Sequence, residues 1–142
     1  MDYCTSAQLT TRFGEQELIQ LTDRDGSGVI DDAVLAQAIG EASSEIDSYL
    51  RSRYPLPLRS TTSELARVAG DIARYRLYDD RMIDIVETRY KQAVDWLKAI
   101  SSGRASLPTD VIEVADTASL SSGISVVTPT TVLGQTFDVM AL

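Results

Sequence analysis

Three stretches of apolar residues with helical spacing, separated by short polar breaks, dominate what this chain has to bury. From Asp32 to about Arg53 the apolar positions are Leu35, Ile39, Ala42, Ile46 and Tyr49, with Val34, Ala38 and Leu50 beside them. Steps of three and four residues place them on one side of a helix. Tyr54-Pro55-Leu56-Pro57-Leu58 ends that run, because proline disfavours helix in the residue before it. A second stripe, Leu65, Val68, Ala69, Ile72, Ala73 and Tyr75, runs from Thr61 to about Tyr78 and stops at Asp79-Asp80. A third, from about Arg81 to Ser101, carries Ile83, Val86, Tyr90, Ala93, Val94, Leu97 and Ile100, and Gly103 supplies its stop. Matched stripes on short links predict an all-α fold, a small antiparallel helical bundle. Its core is expected to hold Leu35, Ile39, Ile46, Leu65, Ile72, Val86, Tyr90 and Leu97.

Two short helices are expected ahead of the bundle. Thr5 or Ser6 can cap the first, Gly14 can end it, and the second covers Gly14 to Thr22. Leu9, Phe13, Leu18 and Leu21 are their apolar offerings to the core. Between them and the first long helix lies Asp23-Arg24-Asp25-Gly26-Ser27-Gly28-Val29-Ile30-Asp31, with Asp31 placed to cap that long helix.

Beyond Ser106-Leu107-Pro108 the helical period disappears. Residues 108–142 carry four acids and no base, and are rich in Ser, Thr, Gly and β-branched residues. That composition suits extended structure. The chain thus divides into a helical domain, residues 1–107, and an extended, partly β-like C-terminal arm, residues 108–142. The arm is expected to dock on a partner through Val126, Val127, Val132, Leu133, Phe137 and Val139.

Composition narrows the chemistry. The chain has no histidine, which removes Ser-His-Asp triads, Cys-His pairs and HExxH zinc sites. Its single cysteine, Cys4, allows no internal disulfide and is expected near a mobile terminus without chemistry. A net charge of −8 is the wrong sign for sequence-independent nucleic-acid binding. No apolar run is long enough to span a membrane, and Met1-Asp2-Tyr3-Cys4 does not open a signal peptide, so synthesis in the cytoplasm is expected.

Few residues look like a site. Asp23, Asp25, Ser27, Gly28, Ile30 and Asp31 fit positions 1, 3, 5, 6, 8 and 9 of a twelve-residue calcium loop, but position 12 is Val34 where a bidentate Glu belongs. A tight turn capping the next helix is the expected reading, and a calcium-responsive binding module the alternative. Asp47 and Asp71 lie beside apolar stripes, with Arg51 at i+4 of the first and Arg74 and Tyr75 at i+3 and i+4 of the second. That spacing makes structural ion pairs rather than a catalytic dyad. Arg51, Arg53, Arg74, Arg76 and Arg81 are of a type that can touch phosphate, but on an acidic chain they are expected to find intramolecular partners or a neighbouring acidic subunit. Tyr49, Tyr54, Tyr75, Tyr78, Tyr90 and Trp96 are expected to lie mainly on or beside the stripes. No catalytic residue, metal ligand or cofactor site is expected, and the chain is read as not an enzyme.

Several segments in order carry a resemblance. They are Tyr3-Cys4-Thr5 leading to Leu9-Thr10-Thr11-Arg12-Phe13-Gly14-Glu15, then Leu21-Thr22-Asp23-Arg24, and then Ile46-Asp47-Ser48-Tyr49-Leu50-Arg51-Ser52-Arg53-Tyr54-Pro55-Leu56-Pro57. Asp71-Ile72-Ala73-Arg74-Tyr75, Arg89-Tyr90 and Ala93-Val94-Asp95-Trp96-Leu97 complete the series. Over about residues 1–107 the chain resembles the Mu-like phage head–tail connector (adaptor) family, long catalogued as a domain of unknown function. The resemblance implies a helical subunit of a virion neck ring, expected to be a dodecamer, beneath the portal protein. DNA would pass through the lumen without sequence-specific binding, and the next neck or tail-completion protein would dock below.

Overall fold

The structure, a computed structural model, describes residues 1–112. Among the described residues it is all-helical: α1 (Ser6–Phe13), α2 (Glu15–Thr22), α3 (Asp32–Leu50), α4 (Ser63–Tyr78) and α5 (Asp84–Ser102), with 3₁₀ turns at Asp79–Arg81 and Thr109–Val111. Helix boundaries follow local chemistry. Thr5 caps α1 in a reciprocal box with Gln8, and Asp31 accepts the amide hydrogens of Ala33 and Val34 at the start of α3. Thr62 receives the Leu65 amide at the start of α4. Gly103, left-handed at φ 87°, closes α5 as only glycine does without strain.

The three long helices pack on one another in all three pairs. Contacts between Glu45 and Tyr90 and between Ser52 and Ser101 run α3 and α5 side by side in one direction. Arg76, near the end of α4, meets Glu41 and Glu45 of α3. Leu35, Ile46, Leu65, Val68, Ile72, Leu97 and Ile100 are completely buried, and Ile39 and Val86 nearly so. Tyr90 of the expected core is half-buried, its hydroxyl reaching Glu45.

The third long helix starts later than the apolar spacing implies. Asp79 takes a positive φ of 48° and the chain makes a 3₁₀ turn before Ile83 becomes the residue ahead of α5. Ile83 therefore drops out of the stripe and is exposed, as is Ile85.

The N-terminus also differs from expectation. Tyr3 and Cys4 are buried in the core, not carried on a mobile end. The Tyr3 amide donates to Ser43 Oγ at 3.1 Å and its hydroxyl donates to Asp47.

The boundary expected at Pro108 falls inside the packed unit, which runs from Met1 to Ile112. Leu107 and Val111 are buried apolar residues, and the Val111 carbonyl accepts the Arg59 amide hydrogen at 2.9 Å. Apolar burial and one backbone bond thus extend the domain from residue 107 to residue 112. The rest of the expected arm, with Val126, Val127, Val132, Leu133, Phe137 and Val139, lies outside the described residues.

Candidate functional site

Polar side chains in this fold gather at three places. The first joins the N-terminal helices to α4. Arg12 reaches from α1 across α4, where Nη1 donates to the Arg67 carbonyl at 3.0 Å and Nη2 to Asp71 Oδ1 at 3.2 Å. Arg67 approaches the other oxygen of the same carboxylate at 3.7 Å. Asp71 is buried, one turn below Arg67 on α4. Gly70 leaves room for this guanidinium: a Cβ there would sit 2.8 Å from Arg12 Nη1 and 3.3 Å from Leu9 Cδ2, and Arg12 would have to shift.

Two turns of α2 add a fork. Arg74 Nε and Nη2 donate to Glu17 Oε2 and Oε1 at 2.6 and 2.9 Å. The guanidinium groups of Arg12 and Arg74 both lie over the Phe13 ring, at 4.8 and 4.4 Å from its centre. Bidentate geometry and partial burial make this pair stronger than an ordinary surface ion pair.

The second cluster ties the long helices together. Glu45 of α3 accepts from Arg76 of α4 at 2.7 Å and from the Tyr90 hydroxyl of α5 at 2.8 Å. Tyr75 stacks on Tyr90 with centroids 3.8 Å apart. Burial, and then the Glu45 carboxylate, push the Tyr90 hydroxyl up to about 12. Burial and the neighbouring Asp2 push the Cys4 thiol up to about 11, and burial with the Asp47 bond raises Tyr3 further still.

All three groups hold their protons more tightly in the fold than in the unfolded chain. Their stabilising effect is complete below the ordinary thiol and phenol range and is lost as pH climbs from about 9 through 12. The melting temperature is expected to fall steadily over that alkaline interval, and Cys4 to resist a disulfide reagent at pH 8 until denaturant is added. An alkaline plateau, or fast labelling of the native protein, would contradict the burial of these groups.

The third place is the Asp23 loop. Asp23 Oδ1 accepts the amides of Gly26 and Ser27, each at 3.0 Å, and Oδ2 accepts that of Gly28 at 2.8 Å. The Gly28 hydrogen bond above all holds this carboxyl below its usual range. The loop ends are tied through Thr22, whose buried hydroxyl donates to the Leu18 carbonyl and accepts the Asp31 amide hydrogen. Asp31 itself is turned to the α3 amides, among them that of Val34, the position-12 residue. Removing that cap through Asp31→Ala is expected to cost about 1 kcal/mol. Calcium is expected to leave the melting temperature of the native protein unchanged, since a ligand shifts stability only by binding the folded state. A steep rise with micromolar calcium would restore the metal reading.

Asp47 and Asp71 do not take the partners their spacing suggested. Asp47 receives the Tyr3 hydroxyl and not Arg51, while Asp71 is held by Arg12 and Arg67 and not by Arg74. Their separate partners take away the dyad. Arg53 donates to the carbonyls of Ile100 and Ala105 at 2.8 and 3.0 Å, neutralising the C-terminal end of α5. Tyr54 accepts the Leu107 amide hydrogen at 3.0 Å. Arg12 and Gly70 carried no periodic signal. An arginine placed just before a glycine stop, facing a buried aspartate, becomes readable only once α1 and α4 are known to cross.

Two of these three clusters tie helices to one another within a small all-helical unit. The family profile described as Bacteriophage Mu, Gp36 matches residues 3–125. Gene product J of Escherichia phage Mu is 33% identical over 105 residues, covering 73% of this chain and 74% of that protein. The Mu-like prophage FluMu protein gp36 of Haemophilus influenzae is also 33% identical over 105 residues, covering 74% of each. The chain belongs to the Bacteriophage Mu Gp36 family and is a Mu-like phage protein.

Proposed function

We propose that this protein is a structural head–tail connector, or adaptor, subunit of the phage neck and has no catalytic activity. Copies of it would form a ring beneath the portal, with DNA passing through the lumen and the next neck or tail-completion protein docking below. Family membership across most of the chain carries this reading, joined to the order and spacing of the segments that resemble connectors. Three further features support it. The chain has no histidine and a net charge of −8, so a lumen built from it would repel DNA rather than trap it. The long helices, an antiparallel bundle in this reading, supply a rigid body for a ring. The C-terminal segment, with Val126, Val127, Val132, Leu133, Phe137 and Val139 as apolar anchors, supplies material for contacts that many copies would make collectively strong. No helix among the described residues is long and apolar enough to cross a membrane, in keeping with a virion component.

The test is mass measurement and electron microscopy of the full chain, alone and mixed with the portal of the same phage. Closed rings seated on the portal are expected. A chain that stays monomeric at every concentration and leaves the portal bare would overturn the reading.

A further inference from the structure

We propose that the groove between α1 and α4 is a docking site for the acidic C-terminal segment, residues 113–142, of a neighbouring copy of this chain. The existence of a neighbour rests on the connector reading; the choice of groove and occupant rests on separate observations.

The groove encloses about 360 Å³ and is lined by the small residues Ala7, Thr11, Ser63 and Ala66, with Arg12 and Arg67 among its walls. Small side chains on facing helices leave an open, largely apolar trough that a chain can enter. Its charge is unbalanced. Arg12 and Arg67 approach the two oxygens of one carboxylate, Asp71, and no other acid among the described residues pairs with either. Two cations on one anion leave a net positive charge beside an apolar surface, and the Arg67 side chain is half exposed to meet a second carboxylate. The fitting occupant is an apolar segment that brings acids and no competing base.

Residues 105–142 form the longest base-free stretch of the sequence, and 113–142 carry Glu113, Asp116 and Asp138 among their Val, Leu and Phe residues. The place where the described chain ends also fits. The Val111 carbonyl is bonded to the Arg59 amide, four residues ahead of Ser63 at the start of α4, so the described chain ends near the helix that forms one wall of the groove. Thirty residues can reach up to about 100 Å when extended. α4 is only about 24 Å long, so a groove on an adjacent subunit is within range.

The experiment places a photo-crosslinking phenylalanine analogue at Ala7 of the full chain and mixes isotope-labelled with unlabelled copies. Trypsin cuts after Arg104 and nowhere beyond it, so the whole C-terminal stretch is recovered as one peptide, Ala105–Leu142. Adducts that join labelled to unlabelled chains through this peptide are expected. Arg67→Glu should lower their yield several-fold, while Arg67→Lys keeps it and both variants retain the helical circular dichroism. Adducts confined to single chains, adducts to other peptides, or indifference to Arg67→Glu would overturn the proposal. Rings that seat on the portal without the groove adduct would sink the docking site and leave the connector reading standing. A chain forming neither ring nor portal complex would sink both.

Discussion

Truncating Leu97 or Ile46 to alanine is expected to lower stability by about 2–5 kcal/mol, measured by urea unfolding at neutral pH. Both side chains are completely buried, Leu97 on α5 and Ile46 on α3, within one cluster that α4 completes through Leu65, Val68 and Ile72. Removing three methylene-sized groups loses their transfer energy and leaves a hole that rigid helices close only in part. A small domain is stable by about 5–15 kcal/mol, so either change takes a large share of the total. The two residues belong to one packed cluster, and the double variant should therefore deviate from additivity. Losses below about 1 kcal/mol at both positions would mean that the helices do not pack as described.

Asp71→Ala is expected to cost about 2 kcal/mol, again by urea unfolding. Removing one member of a fully buried ion pair typically costs about 3–5 kcal/mol, because the partner is left charged and dry. Here the partners, Arg12 and Arg67, both keep part of their surface in water, which reduces the penalty. Adding Arg12→Ala to Asp71→Ala should recover some of the loss by removing the orphaned guanidinium. A cost under about 0.5 kcal/mol for the single change would show that this carboxylate does not hold α1 to α4.

Helices were legible wherever a chemical signal is local. Thr5, Asp31, Thr62 and Gly103 act at the termini that their side chains, or the lack of one, suit, and the stripes of α3 and α4 are buried as spaced except at Tyr49 and Tyr75, which are half-buried. Reading failed where the deciding partner is distant in sequence. Tyr3 and Cys4 precede a cap, too few to show any period, and the groups that bury Tyr3 come from α3, 40 to 44 residues on. Spacing within one helix assigned Arg74 to Asp71, yet Glu17 on another helix offers Arg74 a two-pronged fit and takes it. Ile83 matched its stripe by number alone, since a positive φ at Asp79 shifts the start of α5 past it. The anchors expected in the C-terminal segment fall outside the described residues, and the α1–α4 groove proposed to receive that segment emerges only from tertiary packing.

The clamp made by the first twenty-two residues also sets an order of events at the ribosome. Tyr3, Arg12 and Glu17 leave the exit tunnel first, but the residues they bind come 44, 59 and 57 positions later. At synthesis rates of about 5–20 residues per second, that is a wait of roughly 2–12 seconds. During it α1 and α2 are too short to persist as helices by themselves. The opening segment of the protein is therefore locked in place only after α3 and most of α4 have been made, while α5, at Asp84–Ser102, is still to follow.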